Sequence, residues 1–292
     1  MNGLVLIDKP SGCTSHDVVN RWRRLAQTKR VGHLGTLDPM ATGLLAIMTG
    51  NATRLAQYFG HDEKTYVAEI TFGLVSNTYD IEGEVIETGG AAPSAAMMAL
   101  ALDRYRGKFL QTPPAVSAKK INGVPAYKLA RQHIAVELAP VEVEIKRLDL
   151  IDISGSRLSV VVRCSAGTYI RSLAHDVGRD LGCGAVLSKL RRTAIAGLSV
   201  DCAKTLDELA ELADLDRLSD AVIPAARLLP EFPSVHFDSS GEVHIRQGRD
   251  FRTSPFVVSP GTPFVKALSH AGELIAIGEL RIPNIYHPST VL

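Results

Sequence analysis

Apolar residues are spaced along this chain in two different ways. Residues 4–7 are apolar at every position, which predicts a short buried strand, and Asp8-Lys9-Pro10-Ser11-Gly12 ends it with a turn. A helix is expected from about Ser15, with Val18, Val19, Trp22, Leu25 and Ala26 as its stripe and Arg21, Arg23, Arg24 and Gln27 elsewhere on its surface. Residues 44–48 form a second apolar run. Tyr66, Ala68, Ile70 and Phe72 alternate with Val67, Glu69 and Thr71, as in a strand with two unlike faces.

Further along, the pattern predicts a helix over 94–105 and strands over 141–145 and 158–164. Ile170, Leu173, Ala174, Val177 and Leu181 mark another helix, and helix returns over 205–213. Residues 107–139 are basic and punctuated by Pro and Gly, so they are expected to be irregular apart from a helical turn at 127–131. Leu229-Pro230-Glu231-Phe232-Pro233 is the best linker candidate. Beyond it, strand-like runs at 256–258 and 274–277 suggest a small β-rich module. Strands and helices mixed without a strict βαβ rhythm indicate an α+β fold.

At 292 residues the chain has room for one large domain, or one large and one small. Its 46% hydrophobic and 22% charged residues are an ordinary globular composition. No apolar run reaches membrane-spanning length, and the first twelve residues lack the features of a signal peptide, so the cytoplasm is the expected location. The four cysteines have no CxxC spacing and the nine histidines no HExxH pair, so neither a disulfide framework nor a metal site is expected.

A formal net charge of +1 conceals three basic segments. Residues 1–60 carry seven Lys/Arg against three acids, 101–131 seven against Asp103 alone, and 163–192 six against two. Acidic stretches at 61–90 and 201–220 balance them. Such segments could converge on one face for a polyanion, or stay apart as ordinary uneven surface charge.

The most informative stretch is Gly32–Gly43, GHLGTLDPMATG. It places His33, Thr36, Asp38 and Thr42 in a glycine-rich loop with little apolar bulk, a way to present a single carboxylate. Asp38-Pro39 is equally a good helix start, with Asp as N-cap and Pro at N1, and on local chemistry the cap is the commoner role. The loop has neither P-loop nor Rossmann spacing, and no GxSxG elbow supports a hydrolase built from Ser11, Ser15, His33 and Asp38. A second segment, 164–172, ends a strand at Gly167 and begins a helix near Thr168, a fair N-cap. Arg171 then lies in the first helical turn, where a cation opposes the helix dipole unless an anion partners it. Asp38 is the natural candidate, and a guanidinium beside it would lower its pKa by about 1–3 units.

Five motifs, Asp8-Lys9-Pro10-Ser11-Gly12, GHLGTLDPMATG, Lys64-Thr65-Tyr66, Gly167-Thr168-Tyr169-Ile170-Arg171 and Leu190-Arg191-Arg192, occur in the order and approximate spacing of the bacterial tRNA pseudouridine synthase B family, which this sequence resembles to about residue 205. The resemblance implies a pseudouridine synthase fold, with a mixed, largely antiparallel central sheet flanked by helices and a small C-terminal PUA-like β-rich domain. The implied boundaries are 1–230 for the catalytic domain, with an RNA-binding insertion at about 107–139 that includes residues 117–131, and 231–292 for the RNA-binding module.

By the same resemblance, the protein isomerises uridine 55 in the T loop of tRNA. Asp38 is the nucleophile, at ribose or base, with a glycal route preferred. Tyr66 stacks on the base and serves proton transfer, and Arg171 pairs with the nucleophile. Tyr169 and Leu190 line the uracil pocket, His33 fills space left by flipped nucleotides, and Lys9 either lies by the pocket or supports the loop. The basic stretch 104–131 grips tRNA phosphates. No cofactor, metal, membrane or obligate protein partner is implied, and the protein is expected to be a monomer. Two alternatives share the motifs: a catalytic subunit of a guide-RNA-dependent pseudouridine synthase, and a tRNA-binding folding factor.

Overall fold

The computed structural model describes all residues except 61–62, 118, 122, 127–128, 130–131 and 133–137, and the side chains of 120, 121 and 125. Tyr127, Lys128 and Arg131 of the expected helical turn therefore lie outside the described residues.

Among the described residues, ten strands form one sheet. Its main path runs Val222–Pro224, Gly3–Lys9, Thr42–Thr49, Ala185–Ile195, Lys64–Phe72, Arg157–Cys164, Val141–Ser154, Gly107–Gln111. Neighbours on this path are antiparallel except in the middle, where Thr42 and Gly43 pair in parallel with Arg191 and Arg192. The mixed, largely antiparallel sheet expected of the fold is present.

The two apolar spacings follow from what covers each face. In Gly3–Lys9 and Thr42–Thr49, Val5, Ile7, Leu45 and Ile47 enter a core beneath helices Ser15–Leu25, Ile170–Asp180 and Leu206–Asp214. Their neighbours Leu4, Leu6, Leu44, Ala46 and Met48 enter a second core on the opposite face. A strand buried on both sides must be apolar at every position. Lys64–Phe72 is covered on one side only: Tyr66, Ala68, Ile70 and Phe72 are buried while Val67 remains 37% exposed, hence the alternation.

Helix ends follow local capping chemistry. Thr14 and Asp17 form a capping box ahead of Ser15–Leu25, Thr205 and Glu208 another ahead of Leu206–Asp214, and Ser94 caps Ala95–Asp103. Thr168 is not the cap of Ile170–Asp180. Tyr169 occupies that position without a side-chain bond, because the Thr168 hydroxyl donates back to the Ser165 carbonyl (3.0 Å).

Among its described residues, the 107–139 segment holds strands that its composition does not suggest. Gly107–Gln111 pairs with Val141–Ile145, and Lys120–Ile121 forms a short hairpin with Val124–Pro125. The partner strand supplies that order, and no local pattern announces it. Residues 256–258 are a turn instead of a strand: the amides of Val257 and Val258 both donate to Ser254 O, and Phe256 is 99% exposed.

A five-stranded sheet follows, ordered Ser234–His236, Phe264–Leu268, Leu274–Ile282, Ile285–Val291, Phe251–Arg252, with helix Ser239–Arg246. The Pro-rich passage before it is packed, not free. Leu228 and Leu229 are buried in one cluster with Leu4, Leu268 and Ile277, and Lys266 Nζ donates to the carbonyls of Ala226 (3.2 Å) and Leu228 (3.1 Å). Among the described residues no helix is long and apolar enough to cross a membrane.

Candidate active site

No helix begins at Asp38. The Ala41 amide donates to the Asp38 carbonyl (3.1 Å), closing a turn, and strand pairing starts at once with Gly43 opposite Lys9. The capping reading fails because the chain must enter the sheet within a few residues, which leaves no length for a helical turn.

Two buried cations hold this loop from beneath. Lys9, fully buried, donates from Nζ to the carbonyls of Pro10 (2.9 Å), Pro39 (3.1 Å) and Ala41 (2.6 Å). Its three protons are thereby used, so the geometry makes it a support for the loop, not a pocket residue. Arg192, also fully buried, donates to Leu44 O (2.7 Å), Gly35 O (3.0 Å) and Thr36 O (3.4 Å). Ser15 Oγ lies 3.0 Å from Leu37 O and accepts from its amide at 2.8 Å. Ser15 is a brace here, and Ser11 Oγ donates to Met40 O (3.1 Å), so both hydroxyls are tied to the loop backbone, which counts against the hydrolase reading.

The structure brings Arg171 and Asp38 together across 133 positions of sequence. Arg171 Nη2 donates to Asp38 Oδ1 (3.2 Å), while Nε lies 3.0 Å from Oδ2 as an ion pair without hydrogen-bond alignment. Nη1 reaches Thr78 O (3.0 Å) and lies 3.5 Å from Asp80 Oδ2, and Nη2 also donates to Val116 O (3.0 Å). The Arg171 side chain is only 6% exposed, whereas that of Asp38 is 31% exposed. One side of the carboxylate is thus fixed and the other is open.

The electrostatics differ from expectation. Burial raises the Asp38 pKa above the ordinary carboxylate value; Arg171 and Lys9 pull it back, and Asp80 adds to the rise. The guanidinium therefore does not leave the net shift downward. Desolvation together with a second carboxylate outweighs one cation that is itself shared.

Tyr66 is 7% exposed, and burial pushes its phenol up to about 12 despite a hydrogen bond from Arg192, so it is a neutral group at physiological pH. Leu190, 8% exposed, sits on the neighbouring strand opposite Ala68. Tyr169 is half-buried, its backbone gripped by Gln111, which accepts from its amide (2.8 Å) and donates to its carbonyl (3.0 Å). It also lines a cavity of about 440 Å³ with Lys119 and Glu142. His33 lies on Val31–His33, paired with Ile47; burial and Arg192 lower its pKa. A larger cavity, about 1040 Å³, is lined by Tyr58, Arg163 and Leu229 and by none of these residues.

Sequence reasoning missed Asp80, Glu82 and the role of Arg192. Asp80 is 4% exposed and accepts from Thr78 Oγ1 (2.6 Å) and Glu82 N (3.1 Å), while Glu82 Oε2 accepts from Met40 N (3.1 Å). Both acids lie in the 61–90 stretch taken for balancing charge; the turn chemistry of Asn77-Thr78-Tyr79-Asp80 and Gly83 was the available signal. Much of the basic charge is likewise used locally. Arg104 pairs with Asp180, Lys108 with Glu142, Arg163 with Glu63 and Arg191 with Asp8.

A partly exposed carboxylate held by a buried arginine that a second carboxylate also engages, on a mixed sheet that carries a buried neutral tyrosine, is an arrangement able to present one aspartate to a substrate. The sequence identifies the family. Residues 23–170 match the TruB family pseudouridylate synthase N-terminal domain, and 171–230 the tRNA pseudouridylate synthase B C-terminal domain. The chain belongs to the TruB pseudouridylate synthase family. It is 50% identical, over all of both chains, to a tRNA pseudouridine synthase B of Solibacter usitatus, and 43% identical to that of Mycobacteroides abscessus over 85% of this chain and 83% of the relative. Among solved structures, a Cbf5-Nop10-Gar1 complex is similar at a TM-score of 0.72 and 25% identity, covering 98% of this chain and 83% of that one.

Proposed function

We propose that the protein forms pseudouridine at uridine 55 in the T loop of tRNA, with Asp38 as nucleophile. The observation that carries this is the Asp38 carboxylate, fixed by Arg171 on one side and open on the other, in a loop whose backbone is immobilised by Lys9 and Arg192. The net reaction breaks the C1′–N1 bond and joins C1′ to C5, while C5 gives up its proton and N1 gains one, so atoms balance and no redox group or second substrate is needed. Asp38 takes part at the sugar or base; Tyr66 stacks on the uracil as a neutral hydrogen-bonding partner; Tyr169 and Leu190 wall the pocket. Arg171 holds the carboxylate, and His33 fills the stack vacated by the flipped nucleotide.

The working unit is a cytoplasmic monomer that acts on tRNA without a guide RNA or obligate protein. The relative at 50% identity is a tRNA pseudouridine synthase B, while the complex-forming neighbour is half as similar, which favours the stand-alone reading. The proposed division is 1–230 for catalysis, with 107–139 and 231–292 contacting RNA. The test is mapping pseudouridine in an unmodified tRNA transcript treated with the purified protein and with Asp38→Asn. Product at position 55 only with the wild type supports the reading; product elsewhere, or retained activity in the variant, overturns it.

A further inference from the structure

Tyr79 stands out on backbone grounds. Its φ of +65° is in the left-handed region, which a bulky non-glycine residue rarely occupies unless its surroundings hold it there. What holds it is visible. Its ring lies flat on His175, with centroids 3.9 Å apart and planes at 12°. On the other side, Tyr79 O accepts from Leu187 N (3.0 Å) and Ile81 N donates to Leu187 O (3.0 Å), so Asp80 is bridged to the strand that carries Leu190 and Arg192.

His175 is four residues after Arg171 on helix Ile170–Asp180, one turn along the same face. The stack therefore fastens the 77–83 loop to the helix that carries Arg171. That loop supplies three contacts around Asp38: Thr78 O and Asp80 on Arg171, and Glu82 on the Met40 amide. We propose that the Tyr79–His175 stack is a positioning device that sets Asp80 and Glu82 against Arg171 and the Asp38 loop, and so sets the angle at which the Asp38 carboxylate meets substrate. Neither ring touches Asp38; both act through their neighbours. The proposal rests on the reading of Asp38 as nucleophile.

Three variants separate stacking from fold. Tyr79→Gly removes the ring while keeping a residue at ease with positive φ. His175→Ala removes the other ring, and His175→Phe restores a flat partner. Single-turnover pseudouridine formation, RNA affinity and thermal melting are measured for each, with Asp38→Asn as control. Misplacing a reacting group by a fraction of an ångström to an ångström costs about tenfold to a hundredfold in rate, so Tyr79→Gly and His175→Ala should lose that much in kcat with RNA affinity unchanged. Combining Tyr79→Gly with His175→Ala should be no slower than the slower single variant, and His175→Phe should recover most of the rate. Wild-type kcat in His175→Ala, or losses in RNA affinity instead of kcat, would overturn the proposal, and His175→Ala against His175→Phe decides it even if Tyr79→Gly does not fold. Activity in Asp38→Asn would instead sink the nucleophile reading, a distinguishable failure.

Discussion

Gly43 and Arg192 meet backbone to backbone at the one parallel join on the main path of the large sheet. Gly43 has φ +100°, and a Cβ there would fall against the Arg192 carbonyl oxygen and 2.9 Å from its nitrogen. The last glycine of the GHLGTLDPMATG loop is thus required by close approach, and the approach lets Arg192 reach back to Gly35 and Thr36. Gly43→Ala should cost about 2–5 kcal/mol, combining backbone strain with overpacking. A melting curve within a degree of wild type would refute this.

The raised pKa of Asp38 has two consequences. Pseudouridine formation should fall as pH drops through a midpoint above the ordinary aspartate value, since the nucleophile must be ionised. Because Asp80 contributes to the rise, Asp80→Asn should move that midpoint downward. An unchanged midpoint in a pH–rate profile would show that burial sets it without Asp80, and an upward shift would contradict the sign of the Asp80 contribution.

Stability should run the opposite way. The folded state favours the protonated carboxyl, so the stability Asp38 contributes is present below its unfolded pKa and is lost as pH rises through the higher folded value. Asp38→Asn at neutral pH should melt no lower than wild type while losing activity. A clearly lowered Tm would mean that the Arg171 pair outweighs desolvation.

Lys9→Met should act through the loop. It removes the donor from three carbonyls and leaves a well-packed stem, so the cost should be about 2–4 kcal/mol. Activity should fall in kcat with RNA affinity retained. A binding defect with normal stability would return Lys9 to the pocket.

Tyr66→Phe should slow the reaction without moving the pH midpoint, because a phenol at about 12 does not titrate in the working range. A displaced acidic limb in the variant would contradict this.

Local patterns carried much of the fold because helix stripes, caps and strand alternation act over a few residues. Thr14 with Asp17 and Thr205 with Glu208 close capping boxes using side chains three positions apart. The strand at 107–111 was not legible, since its order comes from Val141–Ile145 about thirty residues later. Asp80 looked like a surface acid for the same reason: Arg171, the cation it meets in the buried site, is far from it in sequence, and Glu82, though exposed, engages the equally distant Met40 amide.

The sequence by itself determined the α+β class, the Asp38 loop and the family, because ordered motifs and short-range periodicity survive without coordinates. It also argued correctly that Arg171 needs an anion, since a cation at a helix start is unfavourable alone. Only the tertiary structure decided that Asp38 caps nothing, that Lys9 and Arg192 lie under the loop as carbonyl-bound braces, and that Asp38 has a raised pKa. Those outcomes depend on how many charges share one buried volume and how far each is from water. That balance is set by groups brought together from distant strands, and no local stretch of chain encodes it.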